Sequence, residues 1–200
     1  MCIFSGALIL SDKKCNSLLH SIFALMRKLE MDELNRKSVA AFKVSKKIPI
    51  VVILDNVRSM HNVGSVFRTA DAFLLEGIYL CGYTPKPPHR DIHKTALGAT
   101  ETVDWKHFHS ARDACLELLD KEYELIAIEQ VERSIPLQEF TNKEFGRIAL
   151  IFGNELTGVS CEILELCKAS IEIPQFGMKH SLNISVAAGI VLWELVRKRF

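Results

Sequence analysis

The hydrophobic positions after residue 47 form short strand-like runs that alternate with helical patterns. The runs are rich in isoleucine, valine, leucine and tyrosine, and they are "IPIVVIL" (48–54), "GIYLCG" (77–82), "YELIAIE" (123–129), "RIALIFG" (147–153) and "ASIEIP" (169–174). Apolar residues with helical spacing occur near residues 63–74, 110–121, 160–168 and 184–198. Continuous apolar strands separated by helices are typical of a parallel sheet covered on both faces. The pattern therefore predicts an α/β fold with helices on both faces of a parallel sheet.

The predicted parallel strands also indicate where a functional site is to be expected. In an open parallel sheet, ligands bind outside the carboxyl ends of the strands. The loops that follow residues 54, 129, 152 and 173 are therefore the candidate functional segments.

The last predicted helix has almost no polar face. Its sequence "ISVAAGIVLWELV" (184–196) carries Glu194 as the one charge before Arg197. A helix of this kind is buried in a core or in a subunit interface. It is too short to span a bilayer, which takes about 20 residues. Because a domain of 200 residues has few places to bury such a helix, we predict a homodimer.

The first 47 residues form a segment of different character. Residues 17–45 show a helical pattern, and seven basic against three acidic residues lie between Arg27 and Lys47. We therefore predict a basic helical extension over residues 1–47 and a main domain over residues 48–200.

The start of the chain predicts neither an export signal nor a membrane anchor. The opening "MCIFSGALIL" lacks a basic n-region and a small-residue cleavage site, so we expect a cytoplasmic protein. No apolar run reaches the roughly 18 residues of a membrane helix. The six cysteines form no CxxC pair and are expected to be reduced. Met26 and Met31 are alternative translation starts, and if either is used the first 25 to 30 residues are not part of the protein.

Charge is segregated along the chain, although the formal net charge is only +1. Residues 101–172 hold 7 Lys and Arg against 15 Asp and Glu, a balance of −8, and the rest of the chain holds 18 against 9, a balance of +9. A near-neutral molecule can in this way present one positive face to a polyanion. Segregation by chance is the alternative, so charge alone does not identify the partner.

The stretch "LDNVRSMHNVGSVFRTADAF" (54–73) joins the first strand to a helix. The apolar residues with helical spacing define one face of this helix, and they are Val63, Val66, Phe67, Ala70 and Leu74. At about 100° per residue, Arg68 lies about 160° from the centre of that face, so its side chain is predicted to point toward solvent or a ligand. Asn62 and Gly64 are typical of a cap or turn ahead of the helix.

Two later stretches also combine a strand end with polar residues. In "LIFGNELTGVS" (150–160), the strand ends at Gly153, where a glycine lets a ligand approach the backbone closely. Glu155 then either lines a pocket or lies in solvent beyond a tight turn. In "IEIPQFGMKHSLNISVAAG" (171–189), the residues able to cap the last helix are Ser181, Asn183 and Ser185.

Together the three stretches resemble the SpoU/TrmH family of RNA ribose 2′-O-methyltransferases, in the SPOUT superfamily. The first resembles the family motif N-x-G-x-x-x-R-T-A in Asn62, Gly64, Arg68, Thr69 and Ala70. The second resembles F-G-x-E in Phe152, Gly153 and Glu155. The third resembles I-P-x-x-G…S-L-N-x-S-x-A in Ile173, Pro174, Gly177, Ser181, Leu182, Asn183, Ser185 and Ala187. The resemblance covers roughly residues 48–198, with order and spacing intact.

The resemblance implies a fold, a methyl donor and a set of site residues. It implies a parallel sheet whose C-terminal segment is threaded into a trefoil knot, and an obligate homodimer. It implies that S-adenosylmethionine is held around Gly153, Ile173 and Leu182, with the loop at Ile128 and Glu129 closing the pocket. The residues that it assigns to the reaction are Arg68, supported by Asn62, Glu155, Ser181 and Asn183.

The role of Arg68 follows from the chemistry of its side chain. A guanidinium group keeps its proton in proteins, so it does not serve as a base. We expect Arg68 either to stabilise the alkoxide that develops on the ribose 2′-oxygen or to hold the adjacent phosphate.

The segment "PKPPHRDIHK" (85–94) is expected to contact RNA phosphates. His89 and His93 have a spacing that metal sites use, but Pro87 and Pro88 predict a loop and methyl transfer needs no metal, so we expect none. The basic residues expected at the RNA are Lys86, Arg90 and Lys94, together with Lys179.

Two other functions compete with RNA methylation. A knotted RNA-binding module that has lost catalysis would keep the fold, although the intact Asn62, Arg68, Glu155 and Asn183 argue against it. A nucleotide-dependent oxidoreductase is disfavoured because no G-x-G-x-x-G follows a strand and no G-x-x-x-x-G-K-[ST] occurs. The substrate RNA is expected to be a tRNA or an rRNA.

Overall fold

The computed structural model describes residues 27–30, 32–141, 146–179 and 181–199. The chain divides into two compact units, Met1–Ser38 and Val39–Phe200. The roles predicted on either side of residue 47 stay predictions. The two candidate translation starts, Met26 and Met31, lie outside the described residues.

Seven strands form one sheet in the second unit. They are β1 (Ile48–Asp55), β2 (Leu75–Cys81), β3 (Trp105–Phe108), β4 (Tyr123–Ile128), β5 (Ile135–Pro136), β6 (Arg147–Phe152) and β7 (Ala169–Glu172). The order across the sheet is β3-β2-β1-β6-β4-β7-β5, and every pairing is parallel. The parallel sheet predicted from the apolar runs is confirmed.

The helices of the second unit lie between these strands. They are α1 (Val39–Val44), α2 (Met60–Ala72), α3 (Arg90–Ala96), α4 (Ala99–Thr102), α5 (Ala111–Asp120), α6 (Cys161–Leu164) and α7 (Ile184–Arg197).

Two hydrophobic cores lie on opposite faces of the sheet. Ile50, Val52 and Leu54 of β1 belong to the larger core, which α2 and α7 cover. Val51 and Ile53 belong to the smaller core, which α5 and α6 cover. Successive side chains of a strand point to opposite faces, so a strand buried on both sides reads as a continuous apolar run. The predicted coverage of both faces is confirmed.

Helix α2 begins earlier than the sequence pattern predicted. Ser59 is the N-cap, and its side-chain oxygen accepts from the Asn62 backbone N–H at 3.3 Å. Asn62 and Gly64 therefore lie inside the helix, and the prediction that they form a cap or turn is wrong. Gly64 is needed for packing instead, because a Cβ there would overlap the Thr95 hydroxyl and the Ile92 carbonyl of α3.

Helix α7 is buried along one side and exposed along the other. Residues on the inner side, including Leu192 and Leu195, are fully buried in the larger core. Val186, Ile190 and Trp193 follow helical spacing on the outer side and are 50%, 39% and 54% exposed. The chain by itself therefore buries only part of this apolar helix.

Several short elements were not predicted. Strands β3 and β5 and helices α3 and α4 were missed, and the helix predicted over residues 160–168 is limited to α6. The loop predicted at Pro87 and Pro88 ends at His89, whose side chain accepts from the Asp91 backbone N–H at 3.2 Å and so caps α3.

The helix predicted over residues 17–45 is wrong for most of the part that the structure describes. Residues 27–30 and 32–38 contain no helix, and only α1 is helical. The Glu33 carboxylate accepts from the Glu30 backbone N–H at 2.7 Å and from the Arg27 guanidinium at 2.8 Å. Local side-chain bonds of this kind compete with helix formation. Residues 17–26 lie outside the described residues.

Replacing Gly64 by alanine should lower the free energy of unfolding by about 1–3 kcal/mol, because the added methyl group overlaps α3 where it packs on α2. Urea denaturation followed by circular dichroism measures the change. Ser65→Ala on the same helix is the control and should stay within about 0.5 kcal/mol of the native protein. Native stability of the Gly64→Ala variant would contradict the close helix contact.

Candidate functional site

A cavity of about 510 Å³ lies at the carboxyl ends of β4, β6 and β7. The strand register places Leu54, Phe152 and Ile128 side by side on β1, β6 and β4, so the loops after these strands meet at one edge. Eight of the predicted site residues line this cavity: Ile128, Glu129, Gly153, Glu155, Ile173, Ser181, Leu182 and Asn183. The structure thus brings together all five residues predicted for the cofactor and three predicted for catalysis, and their roles stay predictions.

Gly153 is required by the protein's own backbone. A Cβ at this position would overlap the backbone of Gly158 and Val159. Asn154 and Gly158 form an antiparallel bridge there, with N–O distances of 3.2 and 2.9 Å. The returning chain is in contact with this glycine, which also lines the cavity, so the predicted approach of a ligand stays a prediction. The tight turn fixes the β6–α6 loop at the edge of the cavity.

Glu129 joins the end of β4 to the loop after β6. Its carboxylate accepts from the Val159 backbone N–H at 2.9 Å and from the Gln130 backbone N–H at 3.0 Å. Hydrogen bonds from N–H groups to a carboxylate are stronger than those between neutral groups. Glu129 therefore holds two walls of the cavity together as well as lining it.

Asn154, the polar residue directly after Gly153, lines the cavity, and only 7% of it is exposed. Its Oδ1 accepts from the backbone N–H groups of Leu156 and Thr157 at 2.9 and 3.2 Å. Its Nδ2 donates to the Asn56 carbonyl and the Tyr83 hydroxyl, both at 2.7 Å. One side chain thereby ties the loops after β1, β2 and β6. Its place directly after an apolar strand was the only signal in the sequence.

Asn183 connects the first turns of α7 and α2. It is the N-cap of α7, because its Oδ1 accepts from the Ser185 backbone N–H at 2.9 Å. Its Nδ2 donates to Asn62 Oδ1 at 3.1 Å. Of the three residues predicted to cap this helix, Asn183 is the cap. The contact brings the first and third motif stretches together.

Glu155 connects the second motif stretch to the first. Its Oε2 accepts from the Arg58 backbone N–H, in the loop before α2, at 3.3 Å. Residues of all three stretches therefore meet at one edge of the cavity.

Arg68 lies on α2 outside the cavity lining. Its side chain is exposed, as its helical phase predicted. Within the described part of the chain it has no hydrogen bond or ion pair. The guanidinium is therefore free to meet a partner from outside the chain.

The cavity carries negative charge. Glu129, Glu155 and Glu172 line it, and no lysine or arginine does so among the described residues. A concave site lined by one sign of charge favours a ligand of the opposite sign. Nearby, at the end of β1, burial raises the pKa of Asp55 above its ordinary value, and its Oδ1 accepts from the Asn56 side chain at 2.9 Å.

The basic residues predicted to contact RNA are all exposed and lie outside this cavity. Lys94 forms an ion pair with Asp91 at 2.9 Å. Lys86 and Arg90 have no such partner in the residues that the structure covers. Lys179 lies in the loop after β7.

The described residues contain no metal centre, and burial limits the reactivity of the Cys115 and Cys167 thiols. Within them no group of three His, Cys, Asp or Glu is arranged to hold a metal ion. The four described cysteines are free, and burial raises the pKa of Cys115 to about 12 and that of Cys167 to about 11. Such thiols stay protonated and unreactive near neutral pH. None of the described helices has the length and apolar character needed to cross a membrane.

Replacing Asn154 by alanine should lower the free energy of unfolding by about 2–3 kcal/mol, because it leaves buried backbone groups in two loops without partners. Thermal and urea unfolding measure the loss. Tyr83→Phe is the matched control, since it removes one bond of the same network and should cost about 1 kcal/mol or less. An alanine variant as stable as the phenylalanine variant would mean that Asn154 does not hold the loops.

Comparison with known proteins places this geometry in a family. Residues 49–193 match the SpoU rRNA Methylase family. The chain is 32% identical over 151 residues to a tRNA (guanosine(18)-2′-O)-methyltransferase of Aquifex aeolicus, covering 75% of this chain and 70% of that protein. It is 30% identical over 192 residues to the 23S rRNA (guanosine-2′-O-)-methyltransferase RlmB of Haemophilus ducreyi, covering 94% and 75%.

Solved structures of related enzymes share this fold. The A. aeolicus TrmH/SpoU tRNA modifying enzyme has a TM-score of 0.70 at 30% identity, covering 79% of this chain and 78% of that one. The AdoMet-bound rRNA methyltransferase from Sinorhizobium meliloti has a TM-score of 0.70 at 28% identity, covering 78% of this chain and 58% of that one. This chain thus spans less than two thirds of the S. meliloti chain. With the family match over most of its length, the chain belongs to the SpoU rRNA methylase family.

Proposed function

We propose that this chain is an enzyme that transfers a methyl group from S-adenosylmethionine to a ribose 2′-hydroxyl of a structured RNA, either a tRNA or an rRNA. The observation that carries the proposal is the meeting of three distant stretches at one cavity, through the Glu155–Arg58 and Asn183–Asn62 contacts. Relatives are named as tRNA and rRNA 2′-O-methyltransferases. The inactive RNA-binding module has no support among them.

The 510 Å³ cavity suits this methyl donor in size and charge. Its volume lies within the roughly 300–1,000 Å³ of small-molecule sites. The three carboxylates that line it favour a sulfonium cation. A structural relative is described as AdoMet-bound. The residues to which we assign the donor are Ile128, Glu129, Gly153, Ile173 and Leu182.

The protein's main task in this reaction is positioning. When bound, the donor supplies a methyl group on a positively charged sulfur, and its transfer to the ribose oxygen leaves a neutral thioether and releases the hydroxyl proton. Fixing two reactants in line supplies much of the acceleration of such a step. The Asn62–Asn183 hydrogen bond joins two helix N-termini and gives this arrangement a rigid frame. Ser181 and Glu155, both exposed at the cavity, are available to orient the ribose.

Arg68 acts as a cation. It either stabilises the alkoxide that develops on the 2′-oxygen or holds the neighbouring phosphate. Because it has no partner among the described residues, no ion pair within that part of the chain has to break before it engages the RNA.

The exposed cations Lys86, Arg90, Lys94 and Lys179 are assigned to the RNA backbone. Contacts to phosphates supply much of the affinity of nucleic-acid binding and are independent of sequence. The overall charge of +1 means that the positive surface has to be local. The cytoplasmic location expected from the sequence stays a prediction.

We further propose a trefoil knot and a homodimer, as the resemblance implies. The knot is supported by the position of β6 between β1 and β4 and by the return of the chain after β7 to pack α7 against α2. The dimer is supported by the outer side of α7, where Val186, Ile190 and Trp193 leave an apolar stripe in solvent. Burial of such a stripe against a second copy is favourable.

Replacing Arg68 by alanine should lower methyl transfer at least about 100-fold and leave donor binding intact, because the side chain lies outside the donor cavity. Transfer is measured with radiolabelled donor and with tRNA and rRNA transcribed in vitro. Donor binding is measured by calorimetry. Arg112→Ala is the control and should keep full activity, because it removes an exposed arginine of α5 whose partner is Glu162 of α6. Native turnover of the Arg68→Ala variant would refute the role.

Replacing Trp193 by aspartate should convert the proposed dimer into monomers, because it places a charge in the apolar stripe of α7. Sedimentation velocity gives the mass of the native protein and of the variant. Val44→Asp, at an 86% exposed apolar residue on α1, is the control and should remain dimeric. A native protein that sediments as a monomer would rule out this use of the stripe.

A further inference from the structure

A second cavity, of about 730 Å³, lies beside α3 and α4 and shares no lining residue with the donor cavity. The apolar part of its wall comprises Pro87, Pro88, Ile92 and Trp105, and Trp105 is half-buried against the larger core. Its rim carries His89, Arg90 and His93, which are all exposed.

We propose that this cavity binds an unpaired nucleobase of the substrate RNA, close to the nucleotide that is methylated. The inference rests on the proposed function, and it adds a subsite that reads the RNA rather than the methyl donor.

The side chains of the cavity match the way proteins recognise unpaired bases. Bases released from a helix stack on aromatic rings, on histidine or on the plane of an arginine. Trp105 provides the largest ring, and its attachment to the core keeps it in place. Arg90 and the two rim histidines offer further planar surfaces at the mouth.

The charges around the mouth favour RNA over an uncharged apolar ligand. A base inside the cavity would place its own phosphates near the rim. Arg90 on the rim has no ion-pair partner in the described residues, and neither does Lys86, which is four residues earlier and outside the lining. Lys94 also lines the cavity but is held by Asp91. Arg90 is thus available where the backbone of the bound nucleotide would lie.

Glu101 gives the cavity a means of choosing between bases. Its exposed carboxylate is part of the lining and can only accept hydrogen bonds when ionised. It therefore favours a base edge that presents N–H donors. Guanine presents two adjacent N–H groups on its Watson–Crick edge, so it is the best match.

A chain of hydrogen bonds links the elements around the two cavities. The Thr95 hydroxyl donates to the His61 carbonyl at 3.2 Å, which joins α3, beside the second cavity, to the first turn of α2. The next residue, Asn62, accepts from Asn183 at the donor cavity. An RNA that contacts both cavities would therefore pass over the N-terminal turn of α2.

Fluorescence of Trp105 tests the proposal on the full chain. The sequence has two tryptophans, so Trp193→Phe leaves Trp105 as the only one. This protein is titrated with RNA hexanucleotides of mixed sequence and with an abasic hexamer of equal length and charge. The base-containing hexamers should quench Trp105, and the abasic hexamer should not.

Binding of labelled hexamers, followed by anisotropy, supplies the second measurement. In the chain that retains Trp193, Trp105→Leu should weaken hexamer binding about tenfold or more. Trp105→Phe keeps an aromatic ring and should recover most of the affinity, which separates stacking from a folding defect. Equal binding of base-containing and abasic hexamers would reduce the site to phosphate contact and overturn the proposal. Absence of hexamer binding would overturn it as well.

Failure of this subsite can be told apart from failure of the proposed function. If the native chain binds the donor in calorimetry and methylates RNA, while Trp105→Leu leaves hexamer affinity unchanged, the subsite alone is refuted. If the native chain neither binds the donor nor transfers methyl groups, the proposed function fails, whatever the hexamers do.

Discussion

The parallel register of β1, β6 and β4 is the constraint on which the site depends. A parallel sheet brings the carboxyl end of every strand to one edge, and the loops there contain backbone groups that no strand pairing satisfies. Side chains satisfy several of them: Asn154 bonds to groups of three loops, Glu129 accepts from two backbone N–H groups, and the Thr84 hydroxyl bonds to Val57 and Leu54. Asn154 and Glu129 also define the edge of the 510 Å³ cavity. Stability of the loops and shape of the cavity are therefore set by one group of hydrogen bonds.

The elements that were predictable from the sequence are those in which buried apolar positions follow a regular pattern. Strands β1, β2, β4 and β6 appear as continuous apolar runs because they are buried on both faces. Strand β7 was also predicted, although Ile171 is its one buried residue. Strands β3 and β5 lie at the two edges of the sheet, are four and two residues long, and give no such signal. Helix α3 was not predicted, because Pro87 and Pro88 before it indicated a loop. Its start depends on a single side chain, that of His89.

For the candidate site, too, short stretches of sequence identify residues but do not identify the contacts between residues that are far apart in the chain. The three motif stretches named most residues of the cavity, but not the contacts that place them. Gly64 and Gly153 both look like turn residues in the sequence, yet one makes room for α3 and the other for the backbone at Gly158. Asn154 reaches partners 98 and 71 residues away, Asn56 and Tyr83. No pattern within a short window contains information of that kind, so its role emerged only from the three-dimensional structure.

Helix α7 gives a physical reason why dimerisation and methyl transfer should be connected. Its N-cap, Asn183, fixes Asn62 at the cavity, and farther along the helix the Trp193 ring lies 6.1 Å from that of Phe73, just after α2. The two helices are thus joined near both ends. A second copy packed on the outer side of α7 would restrain the rotation of this pair, and with it the position of Asn62. Because a reaction that depends on alignment gains from groups ordered before the substrate binds, the proposed dimer would support the proposed reaction through α7.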